Sequence, residues 1–173
     1  MMKNVEIKRV QPEDAAILRD FSLKTFFEAF SSEIEPADVA DYEQLFSEKQ
    51  TLLELSNPDS EFYFALINGD IAAYLKLNFS EAQTVHKNAK AIEIERIYVP
   101  VIYQRQNIGK RLLDFAAEKT AQLGLEYVWL SVWEHNNKAI GFYERNGFEI
   151  FGSHEFAIGI NQQKELLMRK TLK

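Results

Sequence analysis

The chain has 173 residues, 46% of them hydrophobic, which suits one globular domain, residues 1–173, with a substantial core. With 20 Lys and Arg against 26 Asp and Glu the formal charge is −6, so a general grip on nucleic acid is not expected, while a cationic ligand is compatible. The absence of Cys excludes disulfides, thiolate catalysis and a Cys-based zinc site, and three scattered His (86, 135 and 154) have no ligand spacing, so no metal is expected.

Residues 5–10 alternate and read as a first strand. Pro12-Glu13-Asp14 opens a helix, because Pro suits the first turn and acids favour the positive end of the dipole. Ala15, Leu18, Ser22, Thr25, Phe26 and Ala29 recur at helical spacing, widened by Phe21, Phe27 and Phe30. Glu35-Pro36-Ala37-Asp38 starts a second helix with Val39, Tyr42, Phe46 and Leu53 as its stripe, and Asn57-Pro58-Asp59 ends it. Strands over 61–67 and 71–79 flank Asn68-Gly69-Asp70, a strong hairpin signal. Residues 80–90 are polar and read as loop. A strand over 91–99 stops at Pro100. An amphipathic helix over 108–123 buries Leu112, Leu113, Ala116 and Leu123 and is capped by Gly124. A strand follows over 127–133, then a short helix over 137–146 stopped by Gly147, and strands over 148–156 and 166–172. The order is β-α-α-β-β-β-α-β-α-β-β, a mixed α/β architecture whose strand-helix-strand unit makes a parallel crossover. No apolar run approaches the ~18 residues that span a bilayer, and no long apolar stretch opens the chain, so a cytoplasmic protein without membrane contact is expected.

Tyr103-Gln104-Arg105-Gln106-Asn107-Ile108-Gly109-Lys110 joins a strand end to a helix start. The first N–H groups of a helix have no partner within it, and the dipole places about half a positive charge there. Such a turn binds phosphate or pyrophosphate; Gly109 permits close approach, and Lys110 and Arg111 add charge. The blander reading is a helix start that contains a Gly. Neither a Gly-x-Gly-x-x-Gly dinucleotide turn nor a Gly-Lys-Ser/Thr ending is present.

The residues that surround this loop resemble the GNAT superfamily of N-acetyltransferases. Gln104-Arg105-Gln106-Asn107-Ile108-Gly109 is similar to its Gln/Arg-x-x-Gly-x-Gly/Ala loop, with Asn107 standing where the pattern has its first Gly. Asn tolerates the left-handed region better than most residues. Ile94-Glu95-Arg96-Ile97-Tyr98-Val99-Pro100 looks like the family's fourth strand. Asn136-x-x-Ala139-x-x-Phe142-Tyr143-x-x-x-Gly147-Phe148 matches the second half of the motif set. More narrowly, Glu93 to Val99 and Trp129-Leu130-x-Val132-Trp133-Glu134 resemble the PaiA-type polyamine N-acetyltransferases.

The resemblance implies a single-domain mixed sheet of about seven strands with flanking helices, an acyl-CoA-binding core over about 91–148, and a splayed parallel pair of strands at the CoA site. Acetyl-CoA is the implied co-substrate, and a small cationic amine such as spermidine or spermine the implied acceptor. Ile97, Tyr98 and Val99 would pair with pantetheine as an added strand, Gln104, Arg105, Gln106, Asn107, Ile108, Gly109 and Lys110 would hold the pyrophosphate, and Asn136 and Tyr143 would meet the cofactor arm. Tyr143 would protonate the leaving thiolate, and Glu93 or Glu95, two apart on one strand face, would accept the amine proton. Each has a plainer role: Tyr143 as packing, Asn136 as a helix N-cap, Glu93 and Glu95 as a solvated strand face. Trp129 and Trp133 read as core or interface, and His135 as a surface loop residue. A homodimer is compatible with this reading. The alternatives are acetylation of a peptide, protein or antibiotic amine, or a non-catalytic acyl-CoA-binding regulator.

Overall fold

A computed structural model describes residues 3–30, 32–158 and 161–172. The strands are β1 (Val5–Arg9), β2 (Ser60–Ile67), β3 (Asp70–Asn78), β4 (Ala91–Tyr98), β5 (Tyr127–Trp133), β6 (Glu149–Ile158) and β7 (Asn161–Thr171). The helices are α1 (Ala15–Phe30), α2 (Val39–Leu45), α3 (Glu48–Leu55), α4 (Ile108–Gln122) and α5 (Asn137–Arg145). The seven strands follow the order β1-β2-β3-β4-β5-β7-β6, with β4 and β5 parallel, as the sequence order requires of a strand-helix-strand unit. The chain divides into two compact units, one running through Lys76 and including Arg96–Leu112, the other containing Leu77–Glu95 and the chain from Leu113 onward.

The first unit is built around Val10, Leu18, Phe62, Phe64 and Tyr74, with Phe21, Leu66 and Tyr98 packed on them. On α1, Ala15, Leu18, Ser22 and Thr25 are buried at helical spacing, while Ala29, expected on the same face, is exposed. Thr25 satisfies its hydroxyl on the Phe21 carbonyl at 2.9 Å. Phe26 meets Tyr42 at 5.0 Å and Phe46 at 5.1 Å, an aromatic contact that fastens α1 to the chain around α2. The expected second helix is two helices. Ser47 accepts from Gln50 N at 3.1 Å and so caps a fresh start for α3, which turns Leu53 outward, 59% exposed. The hairpin between β2 and β3 turns through Asn68 (φ 53°) and Gly69 (φ 85°), the pair of left-handed residues that a two-residue turn demands.

In the second unit β5 pairs with β7 along its whole length, from Tyr127↔Thr171 to Trp133↔Glu165. β6 and β7 run longer than expected and pair from Glu149↔Arg169 to Ile158↔Asn161, with a bulge at Phe151 between Ile150 and Gly152. Trp129 is wholly buried, and its indole N–H donates to Gln83 Oε1 at 2.7 Å. Helix α4 ends at Gly124 (φ 71°), where Gly124 N bonds to Ala121 O and Leu125 N to Thr120 O, a Schellman motif that leaves Leu123 54% exposed rather than in the apolar stripe. Register between β4 and β5 runs from Ala91↔Tyr127 to Ile94↔Leu130 and stops there.

Candidate active site

The stop in the β4–β5 register opens a cavity within the second unit. Its lining is Thr84, Val85, Glu93, Ile94, Glu95, Ser131 and Glu165, around a volume of about 280 Å³. The period of two explains the set. Glu93 pairs with Trp129 and Trp133 with Glu165, so Glu93, Glu95, Ser131 and Glu165 project from one sheet face. Three carboxylates therefore line one space. Two were expected from sequence; Glu165 was not, because 161–165 is uniformly polar and reads as loop. Among the described residues, no group of His, Asp and Glu is placed to hold a metal ion.

The carboxylates differ. Glu93 is 2% exposed, not the solvated residue its plain reading suggests, and both its oxygens are engaged. Oε1 accepts from Asn78 Nδ2 at 3.2 Å and Thr84 N at 3.1 Å, and Oε2 from Thr84 Oγ1 at 2.8 Å. Burial pushes its carboxyl above the usual range, against the opposing pull of the Thr84 and Asn78 donors. Glu165 is also pushed up by burial, with His154 opposite it on β6 pulling the other way. Glu95 is half-buried at the point where strand pairing has ended.

Thr84 and Val85 wall this cavity, and the 80–90 segment that carries them is tied down by more side-chain bonds than its loop-like composition suggests. Gln83 is 1% exposed; besides receiving the Trp129 bond it donates to Ser80 O at 3.3 Å and Asn88 O at 2.9 Å. His86 Nε2 lies 2.6 Å from the Tyr127 hydroxyl, which also accepts from Asn88 Nδ2 at 3.0 Å.

Helix α5 carries the other motif of this unit. Asn136 is its N-cap, accepting from Ala139 N at 3.2 Å. The helix ends in a Schellman motif: Gly147 (φ 91°) donates to Glu144 O, and Phe148 N to Tyr143 O. That reversal brings the Phe148 ring to 5.9 Å from Tyr143. The spacing Tyr-x-x-x-Gly-Phe is thus a helix stop whose hydrophobic contact fixes the Tyr143 ring. Asn136 and Tyr143 are both structural whatever else they do. Trp133 is tied by its indole to Gln163 Oε1 at 2.9 Å, and His135 is exposed, as expected.

In the first unit, Ile97, Tyr98 and Val99 lead into the loop at 101–107. Tyr98 is a packing residue, its ring 5.6 Å from Tyr74 and 6.2 Å from Phe30, while Ile97 and Val99 are half-buried. Arg105 (φ 59°) and Asn107 (φ 64°) are both left-handed, so Asn107 takes the conformation for which the pattern uses Gly. Gln104 Nε2 donates to Val99 O at 2.9 Å and Gln106 Nε2 to Ile102 O at 3.2 Å, stapling the turn to itself. Asn107 O then accepts the first helical bond, from Arg111 N. Two left-handed residues thus precede a helix start, whose first turn is formed by Ile108, Gly109 and Lys110 and whose free N–H groups suit an anionic oxygen.

Elsewhere in that unit Glu54 of α3 is clamped. Arg96 reaches it with two nitrogens at 3.1 and 3.3 Å and Lys76 Nζ at 3.1 Å. Burial opposes its ionisation, but Arg96 and then Lys76 outweigh that and hold the carboxyl below the usual range.

Comparison with known proteins agrees with this arrangement. The profile of the acetyltransferase (GNAT) family matches residues 19–148. An uncharacterized N-acetyltransferase in the pepI 3′ region of Lactobacillus delbrueckii subsp. lactis is 36% identical, covering 99% of both chains. The spermine/spermidine N(1)-acetyltransferase of Bacillus subtilis is 29% identical over 51% of this chain and 59% of its own. The fold is shared with the crystal structure of a PaiA N-acetyltransferase from Thermoplasma acidophilum in complex with coenzyme A, at TM-score 0.76 and 21% identity over 97% of this chain and 99% of that one. No helix among the described residues is long and apolar enough to cross a membrane. A family match across most of the sequence, a relative 36% identical over nearly the whole of both chains, and a parallel strand pair whose pairing stops midway lead to one conclusion: the chain belongs to the acetyltransferase (GNAT) family and is an acetyl-CoA-dependent N-acetyltransferase.

Proposed function

We propose that the acceptor is a small polycationic amine, with spermidine and spermine as the leading candidates, and that residues 1–173 act as one transferase domain. The observation that carries the reading is the cavity lined by Glu93, Glu95 and Glu165, which suits ammonium groups. The likeness to a spermine/spermidine acetyltransferase over half the chain supports it. In the same reading Ile97 and Val99 pair with the pantetheine amides, residues 104–110 hold the pyrophosphate, and Asn136 adds a cofactor contact to its capping role.

An alkyl ammonium with pKa ~10.4 is only about one part in 2,500 neutral at pH 7, a cost of roughly 4.6 kcal/mol. Glu95 takes that proton, directly or through water. The neutral nitrogen attacks the thioester carbonyl while a strand N–H polarises its oxygen. The C–N bond forms, the C–S bond breaks, and the thiolate takes a proton from the Tyr143 hydroxyl; the second proton of the nitrogen returns through water to the Tyr143 phenolate, and Glu95 releases the first to solvent. With no Cys in the chain, transfer is direct rather than through a cysteinyl acyl-enzyme.

The test is thiol release from acetyl-CoA with spermidine, spermine, amino acids, aminoglycosides and peptides. Preference for the polyamines is expected. Turnover confined to peptides or aminoglycosides would move the acceptor to those classes, and tight CoA binding without turnover of any amine would favour a regulator. Tyr143→Phe is expected to lower kcat at least ~10-fold while CoA affinity changes less than ~3-fold; equal losses would make Tyr143 a packing residue only.

A further inference from the structure

Glu93 and Glu95 share a strand face and a cavity, yet their surroundings give them different work. A base must bring a carboxylate oxygen within hydrogen-bond reach of the amine. Both oxygens of Glu93 are already covered, by the Asn78 side chain on one and by Thr84 on both. A proton on Oε1 would face the Thr84 N–H and the Asn78 amide, which cannot accept it; only the Thr84 hydroxyl at Oε2 could reverse its role. The two Thr84 contacts come from the middle of the 80–90 segment. The residue before Thr84 is the buried Gln83, held by Trp129, and the residues after it are tied to Tyr127 through His86 and Asn88. Thr84 and Val85 themselves face the cavity. The segment is thus bolted at three places to β4 and β5, and the Glu93–Thr84 bolt lies at the cavity wall.

We infer that Glu93 is a positioning residue: its carboxylate holds Thr84, and through it the 80–90 segment, as a preformed wall of the acceptor cavity, leaving Glu95 to take the proton. The inference rests on the proposed acceptor reading for its kinetic consequence, though not for its structural one. A fixed wall spares the acceptor the ordering of that loop on binding. Loss of the bolt therefore weakens the acceptor, and leaves the chemical step and acetyl-CoA largely untouched.

Three variants test this: Glu93→Gln, Thr84→Val and Thr84→Ser. With spermidine as acceptor, Glu93→Gln and Thr84→Val should each raise the amine KM about tenfold while kcat and the acetyl-CoA KM stay within about threefold. Thr84→Ser, which keeps the hydroxyl, should behave as wild type. The Glu93→Gln/Thr84→Val double variant should cost less than the two single variants summed, since both weaken the hydroxyl–carboxylate bond while the Thr84 N–H survives in each. A kcat loss of about 100-fold or more in Glu93→Gln at unchanged KM, with Thr84→Val silent, would overturn the inference and make Glu93 the proton acceptor. Amide exchange supplies a readout free of the acceptor. The Thr84 amide should exchange slowly in the wild-type protein and at least about tenfold faster in Glu93→Gln; equal exchange in the two would also overturn it. If wild-type protein does not turn over spermidine, the acceptor reading fails, and the exchange result still decides the fate of the wall.

Discussion

Two carboxylate settings in this protein move in opposite directions. Glu54 lies between Arg96 and Lys76, which overcome its desolvation and hold it below the ordinary carboxyl range. Glu93 and Glu165 line a cavity with Glu95, and there desolvation wins. The residue type is the same; what differs is the balance, for two cations outweigh burial at Glu54, whereas burial outweighs the Thr84 and Asn78 donors at Glu93 and His154 at Glu165. Around Glu54 the guanidinium and ammonium groups are themselves braced on rings, Arg96 over Phe46 and Lys76 over Phe62, each 5.4 Å from the centroid. That setting is closed, and its job is to hold α3 to β3 and β4.

The largest effect should come from Glu95→Gln. Removing a general base typically costs 10²- to 10⁴-fold, so kcat is expected to fall at least ~100-fold with the urea midpoint almost unchanged. The mirror experiment is Glu54→Gln, which removes the carboxylate charge facing Arg96 and Lys76 and should lower folding stability by about 3 kcal/mol in urea titration, with turnover per folded molecule kept within about threefold. If Glu54→Gln instead slowed catalysis in fully folded protein, the two settings would not be separate in function. The smallest and sharpest effect is in pH. Because Glu54 titrates below its unfolded value, its stabilisation is present above the ordinary carboxyl range and is lost only as pH falls through the lower folded value. Glu93 and Glu165 titrate above theirs, so falling pH protonates them first; in the fold it is their ionised form that is disfavoured. On acidification the KM for a cationic amine should therefore rise before a thermal melt shows loss of structure. Coincidence of the two limbs would erase the distinction.

The order of elements was legible because each apolar period is long and each stop is chemically marked, as at Asn68-Gly69, Gly124 and Gly147. Two misreadings have physical causes. One helix was expected over α2 and α3 since Val39, Tyr42 and Phe46 keep helical spacing; the contrary signal was Ser47, three residues before Gln50, a capping pattern that outweighs periodicity. The polar run 161–165 hid the start of β7, because a strand whose residues are all polar shows no alternation. That concealed Glu165. The loop and α5 motifs were legible through their resemblance to the family pattern, whereas the bolting of 80–90 depends on Trp129, Tyr127 and Glu93, 9 to 46 residues away in sequence, which no local pattern records.

With residues 104–110 holding the pyrophosphate as proposed, the two left-handed residues of the loop would have a consequence for how the nucleotide end of the co-substrate is met. Arg105 and Asn107 hold a conformation that costs an L-residue about 1–2 kcal/mol, and the Gln104 and Gln106 side chains maintain it. A loop that already occupies its competent shape has a competent fraction near one, so apparent and intrinsic affinity coincide. Binding at this turn is then a matter of encounter and fit, with no conformational equilibrium standing in front of it. Loosening either glutamine would introduce one, and would show as a slower, concentration-saturating association rate rather than as a faster release.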